Sequence, residues 1–365
     1  MGMKQPLLLF IFMSFCTTLQ AQKAYINKVY DFCPAPGQYV NTMPQYNEGD
    51  TKDSILARVN ATLCKESAGM INLGGYGGYV VFGFDHRVEN QIGKMDFEVL
   101  GNAFFSATTT SSGKRGGSSE PGIILVSQDT NGNGLPDDLW YEIAGSEYHK
   151  PETIHDYEIT YQRPEENKVK TPDGTFLSDT TYVRWTDNHG GKGYVYKNTF
   201  HNQSYWPLWL GDSTLTFRGT KLADNYVDES GNGSYYVQYC CGYGYADNVP
   251  NSDSLAYVNI DWAVDNDGNP AHLDGIDFVK VYTGVNQYCG WLGETSTEVA
   301  GAVDLHLQGL SIDDPTTRIY LPSVSSVQDG TTGLFDLSGR KVVSPVAGRL
   351  YIVKANGKTR KVIWK

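Results

Sequence analysis

The sequence predicts an all-β fold: a jelly-roll-like β-sandwich with a large β-rich insertion and a small C-terminal β-tail. Three observations carry this expectation. Tyr (25) and Gly (40) are abundant, while Lys and Arg together number only 29, a composition that favours strands and turns over helices. Short β-branched and aromatic runs recur along the chain, bounded by Gly, Asn and Pro. A helical period occurs in one stretch only.

The chain opens with Lys4 and an apolar run from Leu7 to Phe15, followed by Leu19-Gln20-Ala21. That pattern predicts a signal peptide over residues 1–21, with the mature chain starting near Gln22. Cys16 raises a lipoprotein alternative, but Phe15 stands where a lipidation signal wants a small residue. The run is too short for the ~20 apolar residues of a membrane-spanning helix, and no other stretch approaches that length. A net charge of −12 argues against nucleic acid and anionic membranes as partners. Export permits disulfides; Cys33–Cys64 and one of Cys240 or Cys241 with Cys289 are the economical pairings, leaving one thiol over.

The sandwich is expected over residues 22–312. "TKDSILARVNATLCKES" is the helical stretch, with Ile55, Leu56, Val59 and Leu63 at helical spacing and Thr51 or Asp50 as cap. "GGYVVFGFDH" is a Gly-bounded strand, and "GGYGG" before it (74–78) a turn or close contact. "KMDFEVLGNAFF" alternates Met95, Phe97 and Val99 against Asp96 and Glu98, the period of a half-buried strand. "EPGIILVSQD" is a continuous apolar strand, followed by "LWYEIAG", "YEITYQRP", "TYVRWTD", "STLTFRGTKL", "SLAYVNIDWAV" and "GIDFVKVYT". Residues 146–250 are richer in His, Asn, Tyr and Trp, and form an insertion or second β-subdomain, where ligand recognition is expected. A linker spans 313–330. Residues 331–365 make a separate module of three short strands with turns at Ser338-Gly339 and Asn356-Gly357; from Val327 onward the chain holds eight basic and two acidic residues.

"DTNGNGLPDDLWYEI" carries the most distinctive chemistry. Asp129, Asn131 and Asn133 alternate, Gly134 allows a sharp turn, the Leu135 carbonyl and Asp137 follow, and Asp138 is within reach. A hard cation such as calcium wants six to eight oxygens, and this spacing supplies much of that shell. Trp140 stands where an EF-hand has its bidentate Glu, and a strand precedes the loop instead of a helix, so the expected site is a strand-flanked structural calcium loop. The alternative is an Asn/Gly-rich turn without metal. "DNDGNPAHLDGID" repeats the pattern more weakly with Asp265, Asp267 and Asn269, to which Asp274 and Asp277 could add.

"YWPLWLG" and "GSYYVQYCCGYGY" supply Trp206, Trp209, Tyr235, Tyr236, Tyr243 and Tyr245. These are candidate faces for sugar rings or other flat ligands, with strand core as the alternative. No G-x-S-x-G, H-E-x-x-H or phosphate loop occurs. His86, His189 and His201 each stand alone. A glycan hydrolase or lyase with its site in the insertion would need two carboxylates, or a His and a Tyr, converging in one cleft, with Asp187, Asp212, Asp224, Asp228 and Glu229 available; a structural adhesin would need only a flat aromatic surface.

Two resemblances follow. "FDLSGRKV", "GRLYIV" and "NGKTRKVIWK" resemble the C-terminal sorting domain of type IX secretion substrates. "PAPGQYVN", "GGYVVFGFDH", "DFEVLGNAF", "SEPGIILVSQDTNGNGLPDDLWYEIAGSE" and "GIDFVKVYTGVN" resemble Bacteroidetes cell-surface (PKD-like) β-sandwich proteins of poorly defined function. The second resemblance implies a surface β-sandwich that accompanies outer-membrane nutrient receptors, among them receptors for corrinoids; with the aromatic-rich stretch, the expectation is a secreted or outer-surface protein that helps capture a small molecule or glycan. It implies no residue-level ligand site.

Overall fold

The computed structural model describes residues 22–64, 69–106, 110, 112–316, 333–335, 341–342, 345–346, 350–355 and 358–363. The expected signal peptide therefore lies outside the described residues, as do both turns expected in the tail and most of the expected linker. Residues to Asp314 form one compact unit and those from Pro315 a second. The second unit contains three antiparallel strands in sequence order, Gly333–Phe335, Leu350–Ala355 and Lys358–Ile363.

The first unit is all-β, built in layers around a six-stranded antiparallel sheet. Its strand order is Lys28–Cys33, Tyr79–Glu89, Gly275–Thr283, Gly122–Ser127, Trp140–Ile143 and Ala263–Val264. Both faces of this sheet are covered. On one, Phe82, Ile124, Val126 and Val281 pack against Ile55, Val59 and Leu63 of the helix and against Phe97 and Val99. On the other, Ile123 and Tyr282 pack against Tyr157, Ile159, Tyr161, Val183 and Phe217. Burial on both sides explains why "GIILVS" is continuously apolar instead of alternating.

The second covering layer is a four-stranded antiparallel sheet in the order Lys192–Asn198, Leu177–Asp187, Ile154–Gln162 and Thr214–Lys221. All four strands come from the 146–250 stretch, so that stretch builds one wall of the sandwich core. The layers meet closely at Gly77 (φ +84°), where a Cβ would collide with the Phe217 side chain.

The helix runs Lys52–Leu63 behind a capping box: Thr51 N–H donates to Ser54 Oγ (2.8 Å) and Ser54 N–H to Thr51 Oγ1 (3.3 Å), which satisfies two otherwise orphaned donors.

Three expectations are corrected. "SLAYVNIDWAV" is broken by single 3-10 turns at Ser254–Ala256 and Ile260–Trp262, because Asp253 and Asn259 side chains accept the Leu255 and Asp261 N–H groups and so compete with strand pairing. Cys33, Cys64, Cys240, Cys241 and Cys289 are all free thiols. The Phe97–Leu100 strand is not half-exposed: Asp96 is 0% and Glu98 5% exposed, since the strand lies between Tyr257–Val258 and Gly301–Asp304.

Glu98 Oε1 has no hydrogen-bond partner among the described residues, and burial pushes its carboxyl up to about 8 from an ordinary 4.5. The folded state therefore holds this proton more tightly than the unfolded chain does. Its contribution to stability is expected to fall as pH rises from about 4.5 to about 8, by up to ~1.4 kcal/mol per pH unit. Urea unfolding at pH 5 and pH 8 should show a shallower decline for Glu98→Gln than for the wild type; an identical decline would refute the assignment.

Candidate functional site

The six aromatic candidates separate by burial. Trp206 (0%), Trp209 (8%) and Tyr245 (2%) belong to the apolar cores. Trp209 stacks near Phe32 with ring centroids 6.2 Å apart, and these three rings are core side chains, not faces open to a ligand. Tyr243 packs on Trp262 at 4.6 Å. Tyr235 and Tyr236 alone among the six line an open cavity of about 780 Å³.

The elements forming this cavity converge at one end of the central sheet. Gln38 and Tyr39 follow the strand ending at Cys33, Glu120 precedes the one starting at Gly122, and Cys289 to Glu294 follow the one ending at Thr283. Tyr235 precedes and Tyr236 opens a short strand, Tyr236–Tyr239, paired to Gly116–Gly117. The apolar wall is Tyr39, Phe104, Tyr236, Trp291 and Leu292; the polar lining includes Gln38, Glu120, Gln238 and Glu294.

Behind that lining lies a buried polar cluster. Glu294, Thr295, Ser296, Thr297 and Glu298 are five consecutive residues, each no more than 6% exposed. Gln38 N–H donates to Glu294 Oε1 (2.5 Å), while Glu294 Oε2 has no partner among the described residues. Asp247 Oδ1 accepts from the N–H groups of Asn102 (2.8 Å) and Ala103 (2.9 Å), and its Oδ2 from Glu298 N–H (2.9 Å). Asn72 Nδ2 donates to Glu298 Oε1. Glu120 is hydrogen-bonded to the Glu298 carboxyl.

Burial, first, pushes Asp247 and Glu294 up to about 8, with the neighbouring Glu120 charge adding to each. Burial likewise raises Glu120 and lifts Glu298 well above the ordinary carboxyl range. The cluster can share protons, accept hydrogen bonds from a ligand, or hold a cation: one oxygen from each of Glu120, Asp247 and Glu298 lies within 4.8 Å of the others.

Sequence reasoning missed this cluster. "GETSTEV" has the composition of a solvated loop, and nothing in its spacing marks it as buried. The acidic residues considered for hydrolysis lie elsewhere. Asp187 accepts Tyr157 O–H (2.9 Å) and Gly191 N–H (2.6 Å), Asp228 accepts Ser230 and Gly233 N–H groups, and Asp224 faces Lys221 at 3.8 Å. Glu229 accepts Tyr239 O–H. None of these, nor Asp212, lines the cavity. His86 does not stand alone: its ring bonds Asp85 (2.8 Å) and Asp304 (2.9 Å). His189 stacks on Tyr157 and His201 meets Tyr39 edge-on.

The Asp129 loop lies at the opposite end of the sheet, after Ser127. Asp129 accepts from the N–H groups of Asn133 (3.1 Å) and Gly134 (2.8 Å). Asp137 receives the Asn131 amide (3.1 Å) and the Asn133 amide (3.0 Å), so Asp129, Asn131, Asn133 and Asp137 share one hydrogen-bonded loop, with Leu135 N–H donating to Asn133 Oδ1 (2.7 Å). Asp138 turns to Thr130. In the weaker loop Asp265 caps a turn by accepting Asp267 N–H (2.9 Å) and Asn269 N–H (2.8 Å). Asp274 and Asp277, which could add to this loop, both pair with Arg87.

No family model and no curated protein sequence matches the chain.

The cluster depends on close approach at Gly101, where a Cβ would strike Asp247 Oδ1 and come within 2.9 Å of its Cα. Gly101→Ala is expected to cost about 1–3 kcal/mol through overpacking, read as a lower urea midpoint at unchanged slope; a neutral substitution would refute the packing.

Proposed function

We propose that this chain is a non-catalytic ligand-binding protein whose site is the aromatic-walled cavity at the end of the central sheet. One observation carries the reading: a cavity of about 780 Å³ joins an aromatic wall to a buried polar floor, on which Glu294 Oε2 has no partner. A cavity of this kind, mostly apolar with a few fixed polar groups, is the usual form of a small-molecule site. Its ligand has a flat apolar face for Tyr236 and Trp291 and hydrogen-bond donors for the carboxyl floor. Glycans and corrinoids both satisfy that description.

The surface context rests on the resemblances: an exported accessory protein beside an outer-membrane nutrient receptor. No helix among the described residues is long and apolar enough to cross a membrane. A second reading, a glycan hydrolase or lyase, draws on the convergence of Glu120, Asp247 and Glu298; release of reducing ends from a glycan panel would favour it.

Calcium would stabilise the scaffold through the Asp129 loop. The fit is good: Asp129 and Asp137 supply carboxylates, and Asn131 and Asn133 lie against Asp137, so reorienting two amides would turn four oxygens inward. A chelator is therefore expected to lower Tm, and Asp129→Ala to lower it in buffer and reduce the chelator effect. Equal melting curves with and without EDTA would remove the calcium reading.

Calorimetric titration with glycans and corrinoids tests the binding function. Tyr236→Ala and Trp291→Ala should each weaken the bound ligand about 10- to 100-fold, or 1.4–2.8 kcal/mol, while Tyr243→Ala, outside the cavity, leaves affinity unchanged. Absence of binding by both ligand classes, or equal affinity of the Tyr236 and wild-type proteins, would overturn it.

A further inference from the structure

We infer that Glu120, Asp247 and Glu298 form a binding site for a hard divalent cation, next to the cavity that Glu120 lines and separate from the Asp129 loop. The site does not require the ligand reading, although a cation there would offer an oxygen-bearing ligand a direct contact.

Geometry comes first. One carboxylate oxygen from each residue lies within 4.8 Å of the other two. Oxygens bound to one calcium ion at 2.3–2.6 Å are separated by at most about 5 Å, so a single ion can reach all three. The three residues come from distant stretches: the approach to a central strand, a loop, and the two-residue strand Glu298–Val299. Local sequence does not bring them together, and the fold does.

The donor chemistry points to a hard cation. Every first donor is a carboxylate oxygen, with no His or Cys in the set, which favours calcium, magnesium or manganese over zinc. The Asn102 amide faces the same point, with one terminal atom 3.3 Å from Glu298 Oε2 and 3.2 Å from Asp247 Oδ1. With nitrogen in that position it donates to both carboxyls; with oxygen there it becomes a fourth ligand.

Charge balance is the second argument. Buried carboxylates are normally paired with a cation or bound to metal. Among the described residues, neither Lys nor Arg is among the largest influences on Glu120, Asp247, Glu294 or Glu298. The independent observation is Glu294, which lines the cavity, is 6% exposed and leaves Oε2 without a partner. An ion and its remaining water or ligand oxygens would supply what these groups lack.

The test is direct metal binding by the full chain, stripped with EDTA and dialysed against calcium or manganese, with no organic ligand present. Elemental analysis and calorimetry give stoichiometry and affinity, and manganese is also followed by paramagnetic resonance. Asp129→Ala should retain one equivalent of metal. Adding Glu298→Gln or Glu120→Gln should weaken that binding at least tenfold, with a cooperative thermal transition confirming that each variant is folded. In the wild-type background, Glu298→Gln should lose one equivalent. A folded Asp129→Ala protein that binds neither ion, or glutamine variants that bind as tightly as their parent, would overturn the site and leave a proton-sharing carboxyl cluster. Either failure leaves the ligand reading standing, since that is read from organic ligands alone.

Discussion

The rest of the structure depends on a central antiparallel sheet buried on both faces. Within the Gly122–Ser127 strand, Ile124 and Val126 face one core and Ile123 the other. A one-residue slip would exchange the two sets, placing them against the wrong neighbours, so the register is held from both sides at once. Each fully buried aliphatic or aromatic side chain contributes about 1.5–3 kcal/mol, and both covering layers draw on that term. With neither face open, the sheet's ends and the loops on them are where this fold can present chemistry.

The two ends are used differently. At one, Asp129 and its neighbours satisfy short-range hydrogen bonds within an exposed loop. At the other, side chains from four distant stretches meet beside an aromatic wall, and several are carboxyls without a basic partner among the described residues. Burying such groups is costly. The cost is offset in part by backbone donors, three of which point at Asp247. A sheet end serving packing alone would be more stable with apolar residues there. That local conflict with the logic of the core is what motivates the proposed site.

Legibility of the fold followed the locality of each signal. The helix was readable because Thr51, Ser54 and the Ile55, Val59, Leu63 spacing lie within one short stretch. The strands around Phe82, Ile124 and Val281 were readable because their apolar runs are bounded by turn residues. The Phe97–Leu100 strand was misjudged on its polar side: alternation of Phe97 and Val99 with Asp96 and Glu98 normally marks a solvent face, and only the neighbouring strands bury Glu98. The aromatic-rich stretch was identified by composition, but composition does not separate Trp206, a core residue, from Tyr236, which lines a cavity.

By itself, then, the sequence determined the all-β class, the capped helix, the main strands and the Asp129 loop, because each is encoded by side chains a few residues apart. Tertiary structure alone decided which aromatic rings are available, that the 146–250 stretch forms a wall of the core, and that Glu120, Asp247, Glu294 and Glu298 converge. The reason is distance along the chain. Gln38 and Glu294 are 256 residues apart yet share a hydrogen bond, and only the packing of the completed sheet carries them to the same place.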